Sequence, residues 1–138
     1  MFNLIKIKRK VIFSSLLSLF LLSFFVLTAS AVSLKYDCTV GSIECKGVIV
    51  TDYGTSYEYS DSVYATSGKI LGISNNSTGP FNLVTQLVDS SNNAISPEIA
   101  FTDTQYIKAP KSGYYKVKVT CKDASASKRC KGNGSVSQ

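Results

Sequence analysis

The part of the chain after residue 31 contains no segment with helical periodicity, and this restricts its fold more than any other feature. No window there sustains apolar residues at positions i, i+3 and i+4 between capping residues. Short β-branched and aromatic runs recur instead between clusters of Gly, Asn, Asp and Ser, which is typical of an all-β protein. The expected strands are 47–51, 57–59, 63–66, 69–74, 81–89, 98–101, 105–107 and 114–121.

Seven or eight short strands in one small domain predict two antiparallel sheets that pack face to face. Strand 81–89 carries apolar residues on both faces, so we expect it to be central, and residues 90–93 to form a hairpin loop. In strand 114–121 the alternation predicts one buried face, formed by Tyr115, Val117, Val119 and Cys121.

The C-terminal segment differs in composition from the strands. Residues 123–138 are small, polar, basic and contain glycine, so we expect a flexible tail that is held only at Cys130. The sequence therefore predicts a sandwich domain over residues 32–122.

Residues 1–31 have the three parts of a signal peptide. A basic start over residues 6–10 precedes an uncharged, mostly apolar run over 11–27, and Ala29-Ser30-Ala31 supplies the small-residue cleavage pattern. These parts predict a secreted, extracellular protein, and the simple leader is typical of bacteria. The alternative is an uncleaved anchor, because the run approaches the lower limit of about 17 residues for a membrane span. Membrane contact is expected only in that case.

Four cysteines remain after the leader, namely Cys38, Cys45, Cys121 and Cys130. An even number in an exported chain predicts disulfides. Their spacing matches no zinc motif, and we expect no metal and no cofactor. If the first and last strands lie side by side, Cys45 meets Cys121 and Cys38 reaches Cys130; otherwise each cysteine pairs with its near neighbour. We favour the first pairing, which ties both termini to the domain.

The composition argues against an enzyme. The chain has no His, which excludes His-dependent triads and imidazole metal sites. A small sandwich also leaves little room for a deep cleft. We therefore expect a protein without enzymatic activity.

Four tyrosines within twelve residues form the most unusual segment, which includes Tyr53, Tyr57, Tyr59 and Tyr64. Exposed Tyr rings can stack on sugar faces, because each ring offers apolar area and a polar tip. Asp52, Glu58 and Asp61 would accept hydrogen bonds from sugar hydroxyls. The alternative is that the rings only cover sheet edges or pair across strands, since Tyr is a good strand former.

The C-terminal third is basic, with a cluster formed by Lys116, Lys118, Lys122, Lys128, Arg129 and Lys131, of which the last three form the candidate basic patch. Such a patch could meet anionic wall polymers or lipid headgroups, but we favour the simpler explanation of a solvated tail and the outer face of an edge strand. The Tyr-rich and Lys-rich segments do not coincide, so we expect no nucleic-acid partner.

Fragments between residues 67 and 121 have a recognisable order. They read SGKIL (67–71), FNL (81–83), LVDS (87–90) and APKSGYYKVKV (109–119). This order resembles the bacterial pre-peptidase C-terminal domain. The resemblance implies a β-sandwich of jelly-roll type and an exported module that binds substrate or assists processing beside a secreted enzyme. No catalytic domain accompanies the fragments in this sequence, and four cysteines are added.

These features together predict a secreted, disulfide-stabilised, non-enzymatic sandwich that binds carbohydrate of a cell envelope or matrix through the Tyr-rich segment. One alternative is a secreted toxin or antimicrobial protein whose basic C-terminal third acts on anionic envelopes. Another is a small accessory or inhibitory module that binds a protein partner.

Overall fold

A computed structural model describes residues 33–50, 57–79, 82–122 and 130–138. The predicted leader and its cleavage pattern, residues 1–31, lie outside this range. No helix able to span a bilayer occurs in the described ranges. The strands found there are β1 (Ser33–Asp37), β2 (Cys45–Val50), β3 (Tyr57–Tyr59), β4 (Val63–Ala65), β5 (Ile70–Ser77), β6 (Leu83–Asp89), β7 (Ile99–Ala100), β8 (Asp103–Lys108), β9 (Gly113–Cys121) and β10 (Gly132–Ser137).

The strands form two antiparallel sheets, which confirms the predicted all-β class. The first sheet has the order β1-β2-β10-β5-β8, and the second has the order β3-β9-β6-β7. β4 follows β3 along the same edge of β9. β3 and β4 can be treated as one interrupted strand, because both pair with β9. From β2 onward the chain then crosses to the other sheet at every connection except the β6–β7 hairpin. This alternation is consistent with the predicted jelly-roll type, which stays a prediction.

The core lies between the two sheets and consists of alternate residues of their strands. The predicted buried face of β9 is confirmed, since Tyr115, Val117, Val119 and Cys121 are all buried. β6 lies between β9 and β7, as expected for a central strand, and Leu83 and Leu87 on it are fully buried. The first sheet contributes Val48, Val50, Leu71, Ile73 and Val136.

A buried polar contact connects the sheets within this core. Asn75 of β5 donates to the carbonyl oxygen of Leu83 at 2.9 Å and accepts a 2.7 Å hydrogen bond from Thr85 Oγ1 of β6. Asn75 also donates to the carbonyl oxygen of Phe101, so its amide group is fully used. Because every partner is satisfied, the contact fixes the position of one sheet over the other without leaving an unpaired polar group.

The prediction of a flexible C-terminal tail is wrong for its last part. Residues 132–137 form β10, which lies between β2 and β5 in the middle of the first sheet. Gly134 and Val136 face the core, and the lack of a side chain at Gly134 lets the opposite sheet approach. Residues 123–129 of the predicted tail lie outside the described residues.

The favoured disulfide pairing is also wrong. Cys38 pairs with Cys45, and Cys121 pairs with Cys130. The prediction assumed that β2 lies beside β9, but these strands belong to different sheets, and the neighbour of β2 is β10. The first bond closes a small hairpin between β1 and β2, and the second anchors the start of β10. Both bonds indicate an oxidising environment.

Candidate functional site

Three of the four predicted tyrosines lie on one surface, the outer face of the second sheet. Tyr57 is opposite Thr120 and Tyr59 is opposite Lys118, while Tyr64 is opposite Tyr114 further along β9. These tyrosines point away from the core, because their partners on β9 alternate with the buried residues Val117 and Val119. Tyr53 and Asp52 lie outside the described residues.

The rings are arranged as two pairs. Tyr57 and Tyr59 have ring centroids 5.4 Å apart at an interplanar angle of 66°, and Tyr64 and Tyr114 are 5.2 Å apart at 69°. Both arrangements are edge-to-face, which is favourable for aromatic pairs. The positions opposite Tyr59 and Tyr64 are four residues apart on β9, which separates the pairs by about 14 Å.

Two lysines of β9 lie over the first ring pair. Lys116 Nζ is 4.4 Å from the centre of the Tyr59 ring, and Lys118 Nζ is 4.6 Å from the centre of the Tyr57 ring. Each ring therefore has one face covered by a cation and does not present it for stacking. Within the described ranges neither lysine forms an ion pair with a carboxylate. Their charges are held in place by aromatic rings but are not neutralised.

The second ring pair is more open. Tyr64 and Tyr114 are 45% and 58% exposed, and no described lysine lies over either ring, whereas Tyr57 is 47% exposed but has Lys118 over its ring. In the first pair, desolvation and then the nearby Tyr57 raise the pKa of the Tyr59 phenol above its ordinary value. The face thus combines free ring surface at one end with positive charge at the other.

The structure does not bring Glu58 or Asp61, the two predicted carboxylates within the described residues, to these rings. Glu58 alternates with Tyr57 and Tyr59 on β3, so it lies on the opposite side of the strand. Asp61 forms an ion pair with Lys35 of β1 at 2.9 Å, which connects the edges of the two sheets. Neither side chain is positioned to accept hydrogen bonds from a ligand on the tyrosine surface.

The predicted basic patch is described only at Lys131, which precedes β10 and is exposed. Its carbonyl oxygen accepts hydrogen bonds from the backbone of Thr78 and Gly79. Lys128 and Arg129 lie outside the described residues. The positive charge that does meet the tyrosines comes from Lys116 and Lys118, which belong to the predicted basic cluster but were not expected beside the tyrosines. The alternation of strand 114–121 was the signal for them, because it places both opposite the buried face.

No group of three or more His, Cys, Asp or Glu side chains that could hold a metal ion occurs in the described part of the chain. No known family model matches the sequence, and no curated protein is similar to it. The arrangement on the second sheet therefore has to be interpreted from its own chemistry, as a surface that offers ring faces and two fixed cations.

Proposed function

We propose that this protein is a secreted, non-enzymatic module that binds a negatively charged carbohydrate polymer of a cell envelope or extracellular matrix. The observation that carries the proposal is one surface, called here the Tyr–Lys face, on the outside of the second sheet. It consists of Tyr57, Tyr59, Tyr64, Tyr114, Lys116 and Lys118.

The two ends of the Tyr–Lys face offer a ligand different chemical groups. Tyr64 and Tyr114 provide accessible apolar ring surface, which suits the C–H faces of a sugar ring. Lys116 and Lys118 provide positive charge for a carboxylate or phosphate further along the polymer. Because the rings of Tyr57 and Tyr59 hold both lysines, little side-chain freedom is lost when a polyanion binds.

Two disulfides and a short, largely β-sheet body support action outside the cytosol, where such bonds persist. Neutral polymers would leave the two lysines without a counter-charge, so the charge complementarity favours an anionic ligand. The toxin and protein-partner alternatives stay predictions.

The test compares retention on insoluble cell walls before and after removal of their anionic polymers. The wild-type protein should bind the untreated walls and lose most of its binding on the treated ones. The double variant Lys116→Gln/Lys118→Gln should bind untreated walls about tenfold more weakly. The double variant Tyr64→Ala/Tyr114→Ala should weaken binding by a similar factor, because it removes the ring surface.

A matched control separates the face from the overall charge. Lys69→Gln/Lys108→Gln changes the net charge equally at exposed positions away from the Tyr–Lys face. It should leave retention near the wild-type value. Equal weakening by both lysine pairs, or equal binding to treated and untreated walls, would contradict the proposal.

A further inference from the structure

We propose that the outer face of the first sheet is a separate binding site for an uncharged polysaccharide chain. The site is called here the serine face. It consists of the outward residues of the three inner strands β2, β10 and β5, between Tyr36 on edge strand β1 and Tyr106 on edge strand β8. It is distinct from the Tyr–Lys face and does not depend on the function proposed above.

The floor of the serine face is made mostly of small side chains in register. One row crosses the sheet through Gly47, Ser135, Ser74 and Thr104, and the next passes through Ser137 and Gly72. In the third row Asn133 lies between Asn76 of β5 and Ile49 of β2, and Ile49 is a larger, apolar outward side chain. The opposite positions on these strands, such as Val48, Ile73 and Val136, are fully buried, so alternation directs the small polar residues to solvent.

Two tyrosines border this floor, each directly opposite a glycine of the neighbouring strand. The ring of Tyr36 lies over Gly47, where a methyl group would overlap it. The ring of Tyr106 lies beside Gly72, where an added Cβ would be 3.5 Å from the ring. The two edge strands are four strand spacings apart, about 19 Å. The result is a shallow surface with a tyrosine ring at each side. Between the rings, neither β10 nor the row formed by Ser137 and Gly72 carries a large side chain.

The polar groups of the floor are only partly used within the protein. Ser74 and Thr104 share a 3.1 Å hydrogen bond, and Ser137 donates to the carbonyl oxygen of Gly72 at 3.4 Å. Asn133 and Ser135, on the central strand, make no side-chain hydrogen bond to any described residue. Donors and acceptors of both kinds are therefore available at the middle of the surface.

The charge of the surface selects the ligand. None of the outward residues of β2, β10 and β5 is charged, and among the outward residues of the sheet's described strands only Lys108 on edge strand β8 carries a charge. A surface kept only for solubility normally carries interspersed Lys, Glu and Asp. Apart from Ile49, Ile70 and the disulfide-bonded Cys45, the outward residues of these strands are Ser, Gly and Asn. Together with the two tyrosines they match the composition of surfaces that bind by rigid rings and adaptable hydrogen bonds. Uncharged hydroxylated sugars match that chemistry without leaving a charge unpaired.

The experiment measures retention of the oxidised protein, expressed from its full sequence, on insoluble cellulose and insoluble chitin. It is run at about 1 M salt, where a Debye length of about 3 Å suppresses attraction to the lysines of the other sheet. We expect the wild type to be retained on at least one of these neutral polymers. Tyr106→Ala should weaken retention about tenfold, because Tyr106 is 75% exposed and contributes ring surface rather than core packing.

A second variant and a control make the result specific. Ser135→Lys places a long charged side chain in the middle of the floor and should abolish retention. Val40→Ala removes an apolar side chain that is 74% exposed but lies on the Cys38–Cys45 hairpin, and should leave retention unchanged.

Three outcomes would overturn the proposal. The first is that the wild type is not retained on either polymer, and the second is that retention survives both Tyr106→Ala and Ser135→Lys. The third is that Tyr64→Ala/Tyr114→Ala weakens retention as much as Tyr106→Ala does. The last outcome would assign neutral binding to the Tyr–Lys face instead. Failure of anionic binding in the cell-wall test would not affect this site, because the two experiments use different polymers and different variants.

Discussion

At the residue scale, Asp89 shows how one buried carboxylate organises a loop. It ends β6 and is only 4% exposed. Its Oδ1 accepts hydrogen bonds from the backbone of Ser91 and Asn93, both at 2.9 Å, and Lys111 Nζ lies 3.6 Å from Oδ2. The predicted hairpin loop over residues 90–93 is therefore built around this side chain, with Asn92 in a left-handed conformation that Asn tolerates.

These contacts give the folding stability a defined pH dependence. The hydrogen bonds from Asn93 hold the pKa of Asp89 below its ordinary value of 3.8. A lowered folded-state pKa means that the stabilisation is complete above the unfolded value and is lost as pH falls through the folded one. Asp89→Asn should therefore lose less stability than the wild type between about pH 6 and about pH 3, measured as the shift of the urea midpoint.

The control for this prediction is Asp103→Asn. Asp103 is exposed and its side chain accepts one hydrogen bond, from the backbone of Thr104 at 2.8 Å. This variant should keep the acid dependence of the wild type. An unchanged acid dependence in Asp89→Asn would show that Asp89 does not carry the effect and that other carboxylates, such as Asp37 beside Lys46, dominate it.

At the scale of elements, β10 is central because two of its residues have no side chain. A Cβ at Gly134 would lie 2.5 Å from Val119 Cγ2 and 2.6 Å from Thr85 Oγ1. Gly134 is also opposite Asn75, so it leaves room for the polar contact between Asn75 and Thr85. The glycine thus allows the first sheet to approach the second at the point where hydrogen bonds connect them.

Substitution at this position should weaken the fold. We expect Gly134→Ala to lower the free energy of unfolding by about 1–3 kcal/mol, because the methyl group forces packed side chains apart. Gly113→Ala is the matched control, since a Cβ there meets nothing within 4 Å, and its effect should stay within about 0.5 kcal/mol. Urea unfolding of the oxidised proteins measures both, and equal values would contradict the packing argument.

The same strand explains why the sequence predicted only part of the fold. β9 was predictable, because four apolar residues alternate with polar ones over its length and the buried set was confirmed. β10 has the sequence GNGSVS, whose glycines and lone valine carry no strand signal. Its place depends on complementary packing with Val119 and Thr85, which are distant in the sequence. Without β10 the neighbour of β2 was misassigned, and the disulfide pairing failed with it.

The candidate site was predictable to a similar degree. Tyr57, Tyr59 and Tyr64 share a surface because short strands and alternation are local properties. That Lys116 and Lys118 lie over two of these rings follows from the pairing of β3 with β9, which local sequence does not specify. The outward residues of the first sheet were not predictable at all, because they come from five strands spread between residues 34 and 137.

At the scale of the whole molecule, the two proposed sites lie on opposite outer faces of the sandwich. The Tyr–Lys face belongs to the second sheet and the serine face to the first, with the core between them. Packed sheets are about 10 Å apart, so the two surfaces point away from each other across the full thickness of the domain. A single straight polymer cannot contact both faces, whereas two polymers can bind at once.

This geometry predicts that the protein links two kinds of polymer, provided that both proposed sites exist. Beads coated with an anionic polysaccharide should aggregate with cellulose or chitin particles when the protein is added, and a large excess of protein should reverse the effect by occupying each polymer separately. Tyr106→Ala should reduce aggregation while binding to the beads persists. Lys116→Gln/Lys118→Gln should reduce aggregation while neutral binding at high salt persists. If the wild type binds both materials separately but never links them, the two ligands compete for one surface, and the assignment of one site to each sheet is wrong.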